Sequence, residues 1–259
     1  MRVVSIRFLA MITVVFGLGF AAWSLAIRSP HSPWYIARWE MVMDGMQRME
    51  FVSDDGINVL LYRFMPQDFS LRIENSSEPA RVKAWASKLG GESLVINGFY
   101  FLEDFSPAGL LITDGQDVHA QEFDLDKSGV VRLEPNFDIL DTDQESFSHE
   151  DVLEAGQSYP LLFKQGLAAI KEDSGLQARR SFIGTDEFGQ AYVGVVWRDD
   201  VSLFELMHVL QEIDSVSWYD VMNLDGGPST GVALEADGYS EILDSAAPVP
   251  NVIYIELKK

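Results

Sequence analysis

Val221-Met222-Asn223-Leu224-Asp225-Gly226-Gly227-Pro228-Ser229-Thr230-Gly231 is the stretch around which the chain is best read. It opens as a strand: the apolar Val221, Met222 and Leu224 lead into the polar pair Asn223 and Asp225. It then breaks into two glycines, a proline and two hydroxyls. Glycine permits backbone angles closed to other residues and lets another group approach the main chain closely. A carboxylate at a strand end, beside exposed amides and hydroxyls, suits chemistry. Asp-Gly is also a strong hairpin signal, and on these residues alone a plain turn is the stronger reading.

The whole chain bounds the possibilities. Its 259 residues suffice for one large domain or two small ones, and 47% apolar residues support a sizeable core. A net charge of −21 argues against binding nucleic acid or docking on an anionic membrane surface. An anionic substrate would need a local basic pocket. With no cysteine, disulfides, a thiol nucleophile and a thiolate metal site are all excluded.

Phe8 to Ile27 is uncharged and has the length of about 20 residues that spans a bilayer core. Arg2 and Arg7 precede it, which favours a cytoplasmic N-terminus. Residues 1–28 therefore read as an uncleaved transmembrane anchor, with a cleaved signal peptide at Ser24-Leu25-Ala26 as the alternative. Either way the body is expected outside the cytoplasm, membrane-anchored, or secreted if cleaved. Residues 29–50 read as a juxtamembrane segment, with a helix over Trp34 to Met49, and residues 51–259 as the main domain.

Within that domain Ile57 to Phe64 and Phe69 to Ile73 read as strands. Ser76 or Ser77 is expected to cap a helix with Val82, Trp85, Ala86 and Leu89 on one face, ended by Gly90-Gly91. Leu94-Val95-Ile96 is a buried strand that delivers Asn97-Gly98-Phe99-Tyr100-Phe101. Leu110 to Ile112 is a strand ending at Asp114-Gly115. Asp124 to Gly129 has the spacing of a calcium loop, but Pro135 stands where the bidentate Glu belongs, so it reads as a hairpin turn between Glu122-Phe123 and Val130 to Leu133. The acidic stretch Asp138 to Glu154 reads as a solvated loop. Tyr159 to Phe163 leads into a turn at Lys164 to Gly166.

Arg179-Arg180-Ser181 enters a hairpin of Phe182 to Thr185 and Ala191 to Trp197. In a chain with 19 basic against 40 acidic residues, such a pair either answers surface carboxylates or holds an anion. Ser202 and Glu205 form a capping box for a helix with Leu203, Leu206, Met207, Leu210 and Ile213 on its apolar face. His208 beside that face reads as structural. Val232 to Leu234, Ile242-Leu243 and Val252 to Leu257 finish the chain as strands.

Gly227 to Gly231 matches the G-x-S-x-G nucleophile elbow, but the context fails. No helical pattern follows Ser229, and all four histidines, His31, His119, His149 and His208, precede it. What remains is a carboxylate site. Acid–base work at a sugar centre needs only carboxyl groups, one raised in pKa by burial. Asp225 is the leading candidate. An arginine and the amides of a glycine turn would suit a phosphate-bearing leaving group. No cofactor motif is present, and a metal is left open.

Four stretches together resemble the phosphodiester glycosidase family, over about Phe51 to the C-terminus. Ile96-Asn97-Gly98-Phe99-Tyr100-Phe101 is similar to its I-N-G-G-F-F motif, and Pro107 to Gly115 to its P-x-G-L-x-x-x-D-G segment. Arg180-Ser181-Phe182-Ile183-Gly184 is similar to R-T-A-I-G, and Asn223 to Ser229 to N-L-D-G-G-G-S. Departures are Phe99 and Pro228, each in place of a family glycine, and Ser181 in place of threonine. The first two are expected to reshape pocket walls, and Pro228 to remove an amide donor.

The resemblance implies hydrolysis of a sugar-1-phosphodiester, releasing a sugar such as N-acetylglucosamine, in the cell envelope. Asp225 would take an acid–base or nucleophilic role and Arg180 would neutralise phosphate. Asn97 and Asn223 would orient substrate or Asp225. Gly98, Ser181, Gly226, Gly227, Ser229 and Thr230 would line the substrate. Asp104 and Asp114 are candidates for a second carboxylate by proximity in sequence. The alternative is a catalytically inactive, membrane-anchored protein that binds a glycan or a partner. The expected architecture is one α+β domain on a large mixed or antiparallel sheet with a few helices, preceded by one transmembrane helix. The turns at Asn97, Arg180 and Asp225 should meet at one edge of that sheet.

Overall fold

The computed structural model describes residues 37–118, 124 and 127–258. Numbered in chain order, their strands form three antiparallel sheets. The largest runs β1 (Glu40–Met43), β2 (Met46–Val52), β3 (Asn58–Phe64), β14 (Ala191–Val201), β13 (Ala178–Asp186), β15 (Trp218–Asn223), β11 (Leu161–Lys164), β12 (Leu167–Ala168). A second runs β7 (Gln116–Asp117), β6 (Leu111–Thr113), β10 (Glu154–Ser158), β8 (Gly129–Glu134), β9 (Asp138–Asp141). The third runs β17 (Tyr239–Leu243), β16 (Val232–Ala236), β5 (Ser93–Asn97), β18 (Val249–Leu257), β4 (Phe69–Ala80).

Strict alternation explains why the eight-stranded sheet sits at the centre. Leu60, Tyr62 and Phe64 of β3 face one core and Val59 and Leu61 face another. The first core is shared with the other two sheets, through residues such as Ile96, Val131 and Ile253. The second is closed by α2 (Leu203–Gln211), whose Leu206, Met207 and Leu210 are buried there. The capping box of that helix forms as expected: Ser202 Oγ accepts from Glu205 N and Glu205 Oε2 from Ser202 N. The shorter α1 (Val82–Leu89) buries Val82, Trp85 and Ala86 against the third sheet.

Strands hold 50% of the described residues and helices 11%, so the chain is mostly β rather than α+β, on three antiparallel sheets rather than one large one. Local causes account for the difference. The Met43, Met46 and Met49 spacing looks helical, yet Gly45 (φ +72°) turns a hairpin there and sends β1 and β2 into the main sheet. Met46 and Met49 then face opposite cores. The helix expected from Ser76 starts only at Val82, because β4 pairs with β18 as far as Ala80. Its first amides are capped from across the fold, Val82 N donating to Ser245 Oγ (3.2 Å) and Lys83 N to Asp244 Oδ1 (2.9 Å). The acidic stretch is not all solvated loop: β9 buries Ile139, and Glu154 in β10 accepts from Ile73 N at 2.8 Å.

Among the described residues no helix is long and apolar enough to cross a membrane. The run Phe8 to Ile27 lies outside the described residues, as do His31, His119 and the strand placed at Glu122-Phe123.

Candidate active site

Asn97 ends β5 with its side chain fully buried. Its Nδ2 donates to the Asp225 carbonyl at 2.7 Å. Its Oδ1 accepts from Ser181 Oγ at 2.7 Å and from Gly231 N at 3.1 Å. One amide thus ties the third sheet to β13 and to both ends of the glycine turn. The junction is completed by backbone bonds from Asp225 N to the Gly98 carbonyl (3.2 Å) and from Leu224 N to the Ser181 carbonyl (2.9 Å). The three motif turns therefore meet between two sheets, not at the edge of one.

Asp225 follows β15 directly. Burial raises its carboxyl above the ordinary 3.8, while hydrogen bonds from the Ser229 side chain and the Gly226 amide work in the opposite sense. Gly226 N donates to Asp225 Oδ1 at 2.9 Å. Gly227 takes a left-handed φ of +59°, which favours glycine, and opens a 3-10 turn over Gly227–Ser229. That turn uses up most of its amides. Ser229 N bonds to the Gly226 carbonyl, Thr230 N to the Gly227 carbonyl and Gly231 N to Asn97. Of the turn amides from Gly226 to Gly231, Gly227 N–H alone has no acceptor among the described residues. Thr230 Oγ1 is buried without a partner. Pro228 is exposed and its carbonyl accepts from Ala246 N (2.8 Å) and Ala247 N (2.9 Å), anchoring the turn.

Arg180 lies on β13 beside Ser181, only 8% exposed. Nε donates to the Val201 carbonyl at 2.9 Å and Nη2 to the Leu176 carbonyl. Among the described residues no carboxylate lies within ion-pair distance of it. Burial lowers its pKa, opposed by Tyr100 and by the charge of the exposed Asp200. A Cβ on Gly226 would stand 3.8 Å from Arg180 Cδ, so guanidinium and acid turn are neighbours.

Asn223, fully buried at the end of β15, donates through Nδ2 to Tyr100 Oη (2.6 Å) and to the Tyr159 carbonyl (3.0 Å), and its Oδ1 has no partner. The rings of Tyr100 and Tyr159 lie 5.8 Å apart, and Tyr159 is 46% exposed.

The other expected positions fall elsewhere. Gly98 lies against Asn251, where a Cβ would meet Asn251 Oδ1 at 2.1 Å. Pro107 to Gly115 packs on β10, with Leu110 N donating to Gln157 Oε1 at 2.9 Å. Asp114 is exposed in the β6–β7 turn and its amide donates to Glu154 (3.0 Å). Asp104 is exposed and accepts from Ser106 N at 3.0 Å in its own loop. Phe99 is no pocket wall: it is 2% exposed in the main core, against Gly156. Sequence reasoning gave no role to Tyr100, Tyr159 or Asn251. Asn251 clamps the Asn97 loop, accepting from Phe99 N at 2.7 Å. A lone Asn inside the apolar run Val249 to Ile255 was the available signal.

An antiparallel β-protein that places a half-buried acid beside a buried guanidinium with no carboxylate partner has the makings of a hydrolase for an anionic substrate. The chain belongs to the phosphodiester glycosidase family, whose model matches residues 90–256. Members are hydrolases acting on phosphodiester-linked sugars. Similar solved structures include a hypothetical protein from Synechocystis (16% identity, TM-score 0.61), over 88% of this chain and 65% of that one. They also include the zebrafish N-acetylglucosamine-1-phosphodiester alpha-N-acetylglucosaminidase catalytic domain, auto-inhibited by its pro-peptide (15% identity, TM-score 0.59, 89% of this chain and 86% of that one). This chain thus spans about two thirds of the Synechocystis protein, and at these identities the likeness is one of fold. No curated protein matches the sequence.

Proposed function

We propose that this protein hydrolyses a sugar-1-phosphodiester at the glycosidic bond, releasing the sugar and a phosphomonoester. The observation that carries the reading is Arg180: a buried guanidinium with no carboxylate partner among the described residues, next to the Asp225 turn. Burying an unpaired charge costs several kcal/mol. A substrate phosphate supplies the missing counter-charge and would take a guanidinium fork in bidentate fashion.

The leaving group explains why one carboxylate is enough. A phosphomonoester has its second pKa at about 6, so it departs as a dianion near neutral pH without being protonated. It needs positive charge, which Arg180 provides, more than a general acid. Asp225 is then free to act as base on the attacking water. The bond from C1 to the phosphate oxygen breaks with its electron pair going to phosphate. The water oxygen bonds to C1, and its proton passes to Asp225. Asn97 holds Asp225 in place through the main chain. Tyr159 offers a partly exposed ring for the sugar face, and N-acetylglucosamine is the first sugar to try, after the name of the zebrafish enzyme.

The test is a panel of sugar-1-phosphodiesters assayed for sugar and phosphomonoester in equal amounts. Turnover that collapses in Asp225→Asn supports the reading. Binding across the panel with no product would establish a glycan-binding protein instead.

A further inference from the structure

Asn223 fixes which way a proton points. The Tyr159 carbonyl can only accept, so the Asn223 nitrogen, not its oxygen, must face it at 3.0 Å. The same nitrogen lies 2.6 Å from Tyr100 Oη, so the tyrosine oxygen accepts there. The Asn223 backbone is held by Ser158 Oγ donating to its main-chain carbonyl at 2.6 Å and by its own N–H donating to the Pro160 carbonyl at 3.1 Å. The tyrosine's own hydrogen must therefore go elsewhere. Its protein acceptor is again the Tyr159 carbonyl, at 3.3 Å, long for an O–H···O bond, which runs at about 2.7–2.8 Å. A hydroxyl with a short incoming bond and a long outgoing one has a polarised proton to give to a better acceptor.

We propose that Tyr100 is a catalytic residue whose hydroxyl donates a hydrogen bond to the phosphate oxygen leaving the sugar C1. The proposal rests on the glycosidase reading above. Tyr100 keeps its proton throughout: C1–O breaks, the electron pair stays on the phosphate oxygen, and the hydrogen bond to it strengthens as negative charge builds there. The position fits: Tyr100 Oη lies 2.6 Å from the side chain of Asn223, two residues before Asp225, on the loop whose Asn97 holds the Asp225 carbonyl at 2.7 Å. After burial, the nearby Asp225 carboxylate raises its pKa, while Arg180 pulls the other way. Raised above the ordinary phenol range, the group is a donor and not a nucleophile at any working pH. Arg180 and Tyr100 together would grip the developing dianion. Tyr100 stands two positions after Gly98 within the Asn97 motif, where the family pattern carries Phe, so the hydroxyl is this chain's own feature.

Tyr100→Phe keeps the ring and removes the hydroxyl. With a sugar-1-phosphodiester as substrate, kcat is expected to fall on the order of 10²-fold, the usual loss for one donor to developing charge, with KM within about threefold. A kcat within twofold of wild type overturns the proposal. So does a raised KM at unchanged kcat, which would mean that the hydroxyl binds only the ground state. If the variant does not fold, 3-fluorotyrosine at position 100 retains ring and hydroxyl with a more acidic proton, and an unchanged kcat overturns the proposal equally. No turnover by the wild-type protein defeats the glycosidase reading and this inference with it. Wild-type turnover with an indifferent Tyr100 defeats the inference alone.

Discussion

The Asn97 side chain donates to the Asp225 carbonyl at 2.7 Å, joining the end of β5 to the end of β15 across 128 residues of chain. Because Asn97 Oδ1 also accepts from Ser181 and Gly231, one buried amide sets the spacing of three loops. It positions Asp225 through the backbone and leaves the carboxylate to the Gly226 amide and the Ser229 hydroxyl.

Asn97→Ala should therefore damage stability and activity together. It strands one buried acceptor and two buried donors, each worth about 1–3 kcal/mol when left unsatisfied. A loss of roughly 3–5 kcal/mol is expected, partial relaxation of the loops included. Urea unfolding measures it, and a cost below 1 kcal/mol would show that the loops hold their spacing without Asn97.

Asp225→Asn separates function from stability. Removing a general base is expected to lower kcat by about 10²–10⁴-fold. Its effect on stability has the other sign. In the unfolded chain the carboxyl titrates near the ordinary 3.8, and in the fold burial holds it higher. Between those values the folded state binds more protons than the unfolded state. Wild-type stability from this group is present at low pH and lost as pH rises through the folded pKa. Asparagine cannot ionise and still offers an oxygen to Gly226 N. The variant should melt higher than wild type at pH 7, with the advantage fading toward pH 4. Melting curves across that range check it, and equal curves at pH 7 would show the acid to be well solvated.

How much of this was legible in the sequence follows from the range of each interaction. Capping boxes, glycine turns and period-2 strands are local, so α2, the Gly90 stop and the β13–β14 hairpin read directly. The three-sheet arrangement did not, because strand pairing is long-range. Met43, Met46 and Met49 fit a helix face until Gly45 folds them into a hairpin, and β4 runs past Ser76 only because β18 is there to pair with it. In the site, Asn97, Arg180 and Asp225 stood out by residue type and by family resemblance. Tyr100, Tyr159 and Asn251 did not, since an aromatic or a lone Asn in an apolar run carries no mark of which face it will occupy. The amide cradle expected around Gly226 and Thr230 is mostly consumed by the turn itself, which a list of residues cannot reveal.

Gly226→Ala tests how closely the acid turn and Arg180 are fitted. An added Cβ would stand 2.8 Å from the Arg179 carbonyl, a backbone atom that cannot swing away. The turn or β13 must shift, at about 1–3 kcal/mol for overpacking, and the separation of Asp225 from Arg180 changes with it. Activity should fall by at least tenfold in a folded variant, since misplacement of about 1 Å can cost 10² in rate. Circular dichroism with the phosphodiester assay decides, and full activity would mean that the two groups tolerate movement.

Arg180→Lys keeps the charge and loses the fork. Nε and Nη2 anchor the guanidinium on the Val201 and Leu176 carbonyls and leave its other donors for a ligand. An ammonium cannot hold both anchors and still present a bidentate face. We expect kcat/KM to fall on the order of 10²-fold, a loss of about 2.7 kcal/mol of transition-state stabilisation. Inhibition by inorganic phosphate should weaken in parallel. Retention of both would show that any local positive charge serves.

Phe99 decides how the departure from the family glycine is to be understood. Were it a pocket wall, trimming it would enlarge the sugar site and change substrate preference. Instead it is buried in the core shared by the sheets, and Gly156 of β10 lies so close beneath the ring that a Cβ there would stand 2.5 Å from it. The large residue at 99 and the absent side chain at 156 are a complementary pair. Phe99→Ala should open a cavity under the Asn97 loop and cost about 3–5 kcal/mol, while the ranking of sugars among the phosphodiester substrates stays the same. Gly156→Ala should be destabilising alone and less so when combined with Phe99→Ala, because the added methyl enters the space that the ring has left. Strictly additive losses would separate the two positions, and a changed sugar ranking would return Phe99 to the pocket.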